Sequence, residues 1–382
     1  MRKNNTIIRT IFLSYAILFL GFGCDVGSSD TDKYDRIIKC SEEDIPLENG
    51  NVIQSVDYLV LKTPENCILG GIDKVIEEGD SFYVGDYRSS KIFVFGKDGQ
   101  MTGVLDKCGR GPEEYLAIQS FTVNNQDLCI MDQFRNSLII YDRHTLRFKR
   151  AKEIPVPAWD FASLNNGGFI FANAPLEGEV SNDDMRYRIF ITDSVLQVRH
   201  RLFKCKKNER DAFSIRHYLS SCEGCVVFGS LGERGYSLFR RSDGAMLERV
   251  GFDFHKPIPE DVFVSASDIT DAGYTYPFRA PFLCGEYMAL NLMVGGRGKT
   301  CLYNRNTGDF SLPGPGPLQN QTMLGIVGCY KDGFIGFWQS SRIYEAMVNN
   351  GFQRADPAVE VAINEDSPFL VLYGVKSSIP NT

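Results

Sequence analysis

KIFVFGKDGQMTGVLDKCGRGPEEY, residues 91–115, decides the fold, because a worn copy of its first half recurs five more times downstream. Ile92 to Phe95 make a short apolar, aromatic run, Lys97, Asp98 and Gly99 supply turn chemistry, and Met101 to Leu105 restarts an extended run. Two such runs about a polar, glycine-containing turn read as a β-hairpin. The copies are LIIYDRHTLRF from Leu138, IFITDSVLQV from Ile189, SLFRRSDGAML from Ser237, CLYNRNTGDF from Cys301 and IYEAMVNNGF from Ile343. Between the residues just before each turn (Phe95, Tyr141, Thr192, Phe239, Tyr303, Ala346) the spacings are 46, 51, 47, 64 and 43. A propeller blade of four short strands takes about 40 to 50 residues. The long spacing places an insertion at Phe252 to Gly273.

Upstream of each hairpin lies a second apolar run: Phe82 to Val84, Leu128 to Met131, Gly168 to Phe171, Cys225 to Phe228, Tyr287 to Leu290 and Gly333 to Phe337. Each is assigned as its blade's inner strand, buried on both faces and so near-continuously apolar, whereas outer strands such as Gln197 to Leu202 are expected to alternate. The sequence thus predicts an all-β, six-bladed β-propeller of four-stranded antiparallel blades. Blades 1 to 6 are expected at about 72–106, 118–154, 161–203, 213–250, 281–312 and 323–353. Asn51 to Lys62 and Phe369 to Tyr373 are strand-like, and either would be an exposed edge if unpaired, so the two ends are expected to pair and close the ring. Asp356 to Asp366 reads as a short helical turn before that last strand, and Pro313 to Pro317 as a rigid inter-blade connection.

The chain is 43% hydrophobic and 12% aromatic with 36 glycines, which suits a globular β-rich protein and excludes disorder. Its net charge of −7 gives no basic surface for nucleic acid, so no nucleic-acid partner is expected. Arg2, Lys3 and Arg9, an apolar stretch from Ile11 to Phe22, and Gly23-Cys24 form a targeting segment. About a dozen apolar residues are too few for a membrane span. Residues 1–23 are expected to be a lipoprotein signal peptide, Cys24 the lipidated first mature residue, 24–50 a polar tether and 51–377 the propeller. Plain secretion is the alternative. Ten cysteines remain after Cys24, several in strand-like apolar runs where a thiol acts as a small hydrophobe. Cys222-Glu223-Gly224-Cys225 lacks the second pair of a zinc ribbon and sits at a turn, and it reads as a structural thiol pair or hairpin disulfide.

The leader, Gly109-Arg110-Gly111-Pro112-Glu113-Glu114-Tyr115 and the ending Ser367-Pro368-Phe369-Leu370-Val371-Leu372-Tyr373 resemble the six-bladed propeller lipoproteins of Bacteroidetes, distant relatives of NHL-repeat and TolB-like propellers. The resemblance covers about Val52 to Lys376, with blades 3 to 5 departing from the repeat. It implies an architecture and an address, lipid-anchored to the outer membrane, more than an activity.

Hydrolase motifs, P-loops and EF-hand loops are absent from the sequence, and the four histidines (His144, His200, His217, His255) are scattered and read as solvated surface groups. No metal or cofactor is expected, and binding is favoured over catalysis. Asp86 and Asp132 end equivalent strands and are expected to accept turn amides. Tyr87, Arg88, Phe134, Arg135, Arg297, Trp338 and Arg342 share one loop position in their blades and so one rim, while Arg110 and Glu113 are placed to reach towards the central channel. Arginines and aromatics around a concave face suit an acidic glycan or a protein partner. Against that, Gly109 to Tyr115 also reads as a rigid crossing whose Tyr115 packs between blades. The functional expectation is a membrane-anchored extracytoplasmic binding module. A lyase or hydrolase working in the central pocket, and a scaffold in an envelope complex, are the alternatives.

Overall fold

Six antiparallel sheets follow one another around an axis in the computed structural model, which describes residues 34–40, 52–174, 186–205, 217–222, 224–229, 234–259, 269, 272–313, 324–330 and 333–375. The leader, Cys24, the tether up to residue 33 and the stretch 314–317 lie outside the described residues. Each of the first five blades is laid down from the axis outwards in chain order; blade 1 runs Lys74–Glu78, Ser81–Asp86, Lys91–Gly96 and Met101–Leu105. The hairpin predicted at residues 91–105 is therefore the outer half of a blade.

The apolar runs assigned as inner strands are second strands. The innermost ones are Lys74–Glu78, Ser120–Val123, Asp160–Ser163, Leu219–Cys222, Phe282–Cys284 and Ile326–Tyr330, which contact one another around the axis. They are short, and four of the six carry serine, threonine or charge, which meets across neighbouring blades (Ser120 with Asp160, Thr122 with Ser163) or faces the channel (Lys74, Ser220). That is why an apolar signal points one strand too far out.

Second and third strands bury both faces. In blade 2, Ile130, Ile139 and Tyr141 join a core with Tyr83, Ile92 and Val94 of blade 1, while Cys129, Met131, Leu138 and Ile140 join Phe161, Phe169 and Phe171 of blade 3. Alternate residues thus serve opposite neighbours, as the period of a strand requires. Equivalent apolar clusters fill the remaining blade boundaries. Gly85 shows how closely blades approach, since a Cβ there would lie 2.6 Å from the Phe121 ring.

Ile53–Val60 pairs antiparallel with Phe369–Val375, in register from Val60 with Phe369 to Ile53 with Val375, and supplies the outer strand of blade 6. The ring closes with the two ends, as the sequence predicts. The sixth repeat copy is not a hairpin: Ser341–Asn349 is an α-helix, its N-terminus capped by Ser340. Tyr344 and Met347 are its buried residues, a helical spacing of three that outweighs the resemblance to a turn. A second helix, Pro357–Asn364, covers the predicted helical turn and packs against Ile53–Val60. Both helices are inserted between the second and third strands of blade 6.

Three further expectations need correction. Part of the predicted tether, Arg36–Cys40, is a strand running parallel to Val250–Phe254 and adds a fifth strand to blade 4. The outer strand of that blade extends through Phe254, so the insertion begins later than Phe252. Gln197 to Leu202, expected to alternate, do not: in the strand Val198–Lys204 Arg199 and His200 are both exposed, Val198, Arg201 and Leu202 are half-buried, and Phe203 is the one buried residue. No helix among the described residues is long and apolar enough to cross a membrane.

Candidate functional site in the axial channel

The innermost strands enclose a channel of about 1220 Å³. Strand direction alternates across a blade, so second-to-third-strand loops and inter-blade crossings gather at the end where the innermost strands begin. Arg88, Arg110, Glu113, Arg135, Arg297, Trp338 and Arg342 all belong to that end. None of the seven lines the channel.

Their surroundings explain why. Trp338 is only 2% exposed, enclosed by Tyr58, Tyr344, Phe352, Phe369 and Tyr373. It is core and presents no surface to a ligand. Arg135 donates to the carbonyls of Gly111 (3.0 Å) and Glu114 (2.6 Å), fastening the crossing between blades 1 and 2. Within that crossing the Gly111 amide donates to the Glu114 carboxylate at 2.7 Å, and a Cβ on Gly109 would collide with the same carboxylate at 2.0 Å. Tyr115 is fully buried and its hydroxyl donates to the Ser90 carbonyl at 2.8 Å. Burial raises its pKa further above the ordinary tyrosine value. Glu113 is exposed and accepts from the Tyr141 hydroxyl through its carbonyl at 2.6 Å. Arg88, Arg110, Arg297 and Arg342 are exposed, the last on the inserted helix. The exposed aromatic at this end is Phe134, 77% open.

At the same end a charged group comes from separate blades: Lys74 and Arg279 line the channel, while Ser120 and Asp160 are buried and outside its lining. Asp160, buried, accepts from Ser120 Oγ at 2.5 Å and from the Phe161 amide at 2.9 Å through Oδ1, and from the Leu219 amide at 2.8 Å through Oδ2. Lys74 Nζ lies 3.6 Å from Asp160 Oδ1 and donates to Ser120 Oγ at 3.3 Å. Arg279, from the connection into blade 5, donates through one terminal nitrogen to the Ile326 carbonyl at 2.7 Å and lies over the Phe282 ring. Burial pulls its pKa down to about 10, with Tyr87, Asp160 and Asp73 opposing. Its Nε is buried without a hydrogen-bond partner among the described residues. His217, expected on the surface, lines the channel and stacks on Tyr87.

At the far end, Glu78 lies between Arg143 (3.8 Å) and Arg241 (3.7 Å). Arg241, from a turn of blade 4, also donates to the Val123 carbonyl of blade 2 at 3.2 Å and so reaches across the mouth. Asp86 and Asp132 do accept turn amides, from Ser89 (3.1 Å) and Phe134 (3.1 Å), and each also accepts an amide from the preceding crossing, Gly70 (2.8 Å) and Leu116 (2.6 Å). No cluster of potential metal ligands occurs among the described residues. No disulfide joins one of the ten cysteines from Cys40 to Cys329 to another among the described residues.

Lys74, Ser120, Asp160 and Arg279 escape a sequence reading because each stands alone in its segment. The usable signal is positional: each apolar second strand is preceded by a short extended segment, and the residues opening those segments meet at the axis.

Residues 27–279 match the DUF5128 family, described as a 6-bladed beta-propeller, and the chain belongs to this family. Among solved structures it is similar to one from Bacteroides fragilis described as an exported protein, at 17% identity and a TM-score of 0.72, over 89% of this chain and 100% of that one. A member of the duf4221 family from Bacteroides vulgatus is similar at 10% identity and a TM-score of 0.50, over 86% and 98% of the two chains. These likenesses share the fold. No curated protein sequence matches.

Proposed function

We propose that this protein is a lipid-anchored, extracytoplasmic binding module whose axial channel takes an acidic carbohydrate, entering from the end that carries Lys74 and Arg279. The observation that carries the reading is Arg279: a guanidinium in the channel wall, desolvated, with its Nε unpartnered among the described residues. Burying an unmet cationic donor is costly, and an anionic ligand group would offset that cost. Lys74 stands in the same wall with its charge shared by a carboxylate whose oxygens already accept three other hydrogens. A carboxylated sugar offers the right charge and a polar ring for a channel of this size. The anchor and the extracytoplasmic address rest on the leader with Cys24. The exposed arginines Arg88, Arg297 and Arg342 would then act at the approach to the channel.

Calorimetric titration of the purified protein with a uronic-acid oligosaccharide and its neutral counterpart tests this. Arg279→Met is expected to weaken binding of the acidic sugar by about tenfold or more, and Arg199→Ala, on the outer strand of blade 3, to change it little. Equal affinity for both sugars, or an unaffected Arg279→Met variant, would remove the proposal.

A further inference from the structure

Cys222 and Cys225 close the hairpin between the innermost and second strands of blade 4 and stand directly opposite each other in its register. Directly paired strand positions hold their Cβ atoms about 4.5 to 5.5 Å apart, within a small adjustment of disulfide geometry. The Cys222 thiol lies 3.5 Å from the Cys225 carbonyl oxygen. Both line the axial channel, and both are partly accessible, unlike Cys129 and Cys301, which are sealed in inter-blade cores. They pack against the edge of the core between blades 4 and 5 without being sealed in it.

The electrostatic setting divides the two thiols. The hydrogen bond from Cys222 holds the Cys225 thiol down to about 7, against partial burial; Arg305 lowers it further and Glu248 opposes. That same contact, with burial, pushes Cys222 well above the ordinary thiol value. Glu248 is itself engaged by Arg305, which leaves Cys225 beside a cation whose partner is shared. Low-pKa, accessible thiols with a neighbouring second thiol are the arrangement in which cysteines react with disulfides.

We propose that Cys222 and Cys225 form a dithiol that exchanges with small-molecule disulfides entering the axial channel. The Cys225 thiolate attacks one sulfur of the small disulfide, forming a mixed disulfide and releasing one thiolate. Cys222 then loses its proton and attacks the Cys225 sulfur, forming the intrachain disulfide and releasing the second thiolate. Two electrons pass to the small disulfide, and the protons of the two cysteines leave with the two thiols formed. The channel, about 1220 Å³ in volume, is of a size for small molecules, which sets the class of partner. The inference does not require that the channel binds an acidic sugar.

Competitive alkylation of the native, reduced protein with limiting iodoacetamide near neutral pH, read by peptide mass spectrometry, tests the first part. Cys225 is expected to react about tenfold or more faster than Cys222, Cys129 and Cys301. The second part is tested by equilibration with oxidised glutathione, acid quench and mapping. The wild-type chain is expected to hold a Cys222–Cys225 disulfide, and Cys222→Ser to stop with glutathione on Cys225. Cys225 reacting no faster than the core thiols, or oxidised glutathione leaving both cysteines reduced, would overturn the proposal. The alkylation and wild-type mapping need no substitution, so a misfolded variant cannot decide the outcome.

Discussion

Ser120 Oγ donates to Asp160 Oδ1 at 2.5 Å, joining the innermost strands of blades 2 and 3 at the end where both strands begin. The Leu219 amide brings blade 4 to the other oxygen of that carboxylate, and Lys74 brings blade 1. One buried side chain therefore ties four of the six blades at one end of the axis.

Asp160→Asn should be costly. The substituted amide can still accept on one oxygen, but its nitrogen then faces donors, and Lys74 loses its counter-charge. Equilibrium unfolding in denaturant is expected to show a loss of about 2 to 4 kcal/mol. A change within the error of the wild-type curve would show that the blades are held together elsewhere.

Tyr115→Phe removes a buried hydroxyl that donates to Ser90 and also meets Leu105 and the Lys107 amide. The ring stays, so the loss is confined to hydrogen bonding. Chemical denaturation should report about 1 to 3 kcal/mol.

Trp338→Ala empties the centre of the aromatic group between the inserted helices and blade 6. The expected cost is about 3 to 5 kcal/mol. Sugar affinity, measured below the unfolding transition, should be unchanged. A selective loss of affinity at full stability would return Trp338 to the binding surface.

Asp142 gives a pH dependence with a definite sign. Its carboxylate accepts from the Thr145 amide (2.9 Å), the Thr145 hydroxyl (3.0 Å) and the His144 amide (3.1 Å), and Lys149 lies 3.1 Å away. The Thr145 amide bond, then Lys149 and the Thr145 hydroxyl, hold its pKa below the ordinary aspartate range. A depressed folded-state pKa stabilises fully above the unfolded value of about 3.9 and loses that contribution as pH falls through the folded one. The melting-temperature gap between wild type and Asp142→Asn should therefore be widest near about pH 6 and shrink towards about pH 2. A gap independent of pH would assign the effect to hydrogen bonding alone.

The repeat made the blades legible because buried strands must be apolar on both faces, a strong local signal that Ile92 to Phe95 and Leu138 to Tyr141 carry. Ring closure was legible from the cost of an unpaired edge. The helix at Ser341–Asn349 was masked by a turn-like Asn349-Asn350-Gly351, which ends a helix as readily as it links strands. The site was hidden for a different reason. Lys74, Asp160 and Arg279 are far apart in sequence and acquire meaning only when six strand ends converge. Rim position alone misled at Trp338, where an inserted pair of helices turned a loop residue into core.

The pairing of Val60 with Phe369 has a consequence for biogenesis. During synthesis Ile53–Val60 emerges long before its partner and must wait until the strands of blades 1 to 5 have been made. Until then the nascent chain exposes one unsatisfied border at its start and another at its growing tip. Such a chain is held unfinished by its own topology, which favours late, cooperative completion over stepwise maturation.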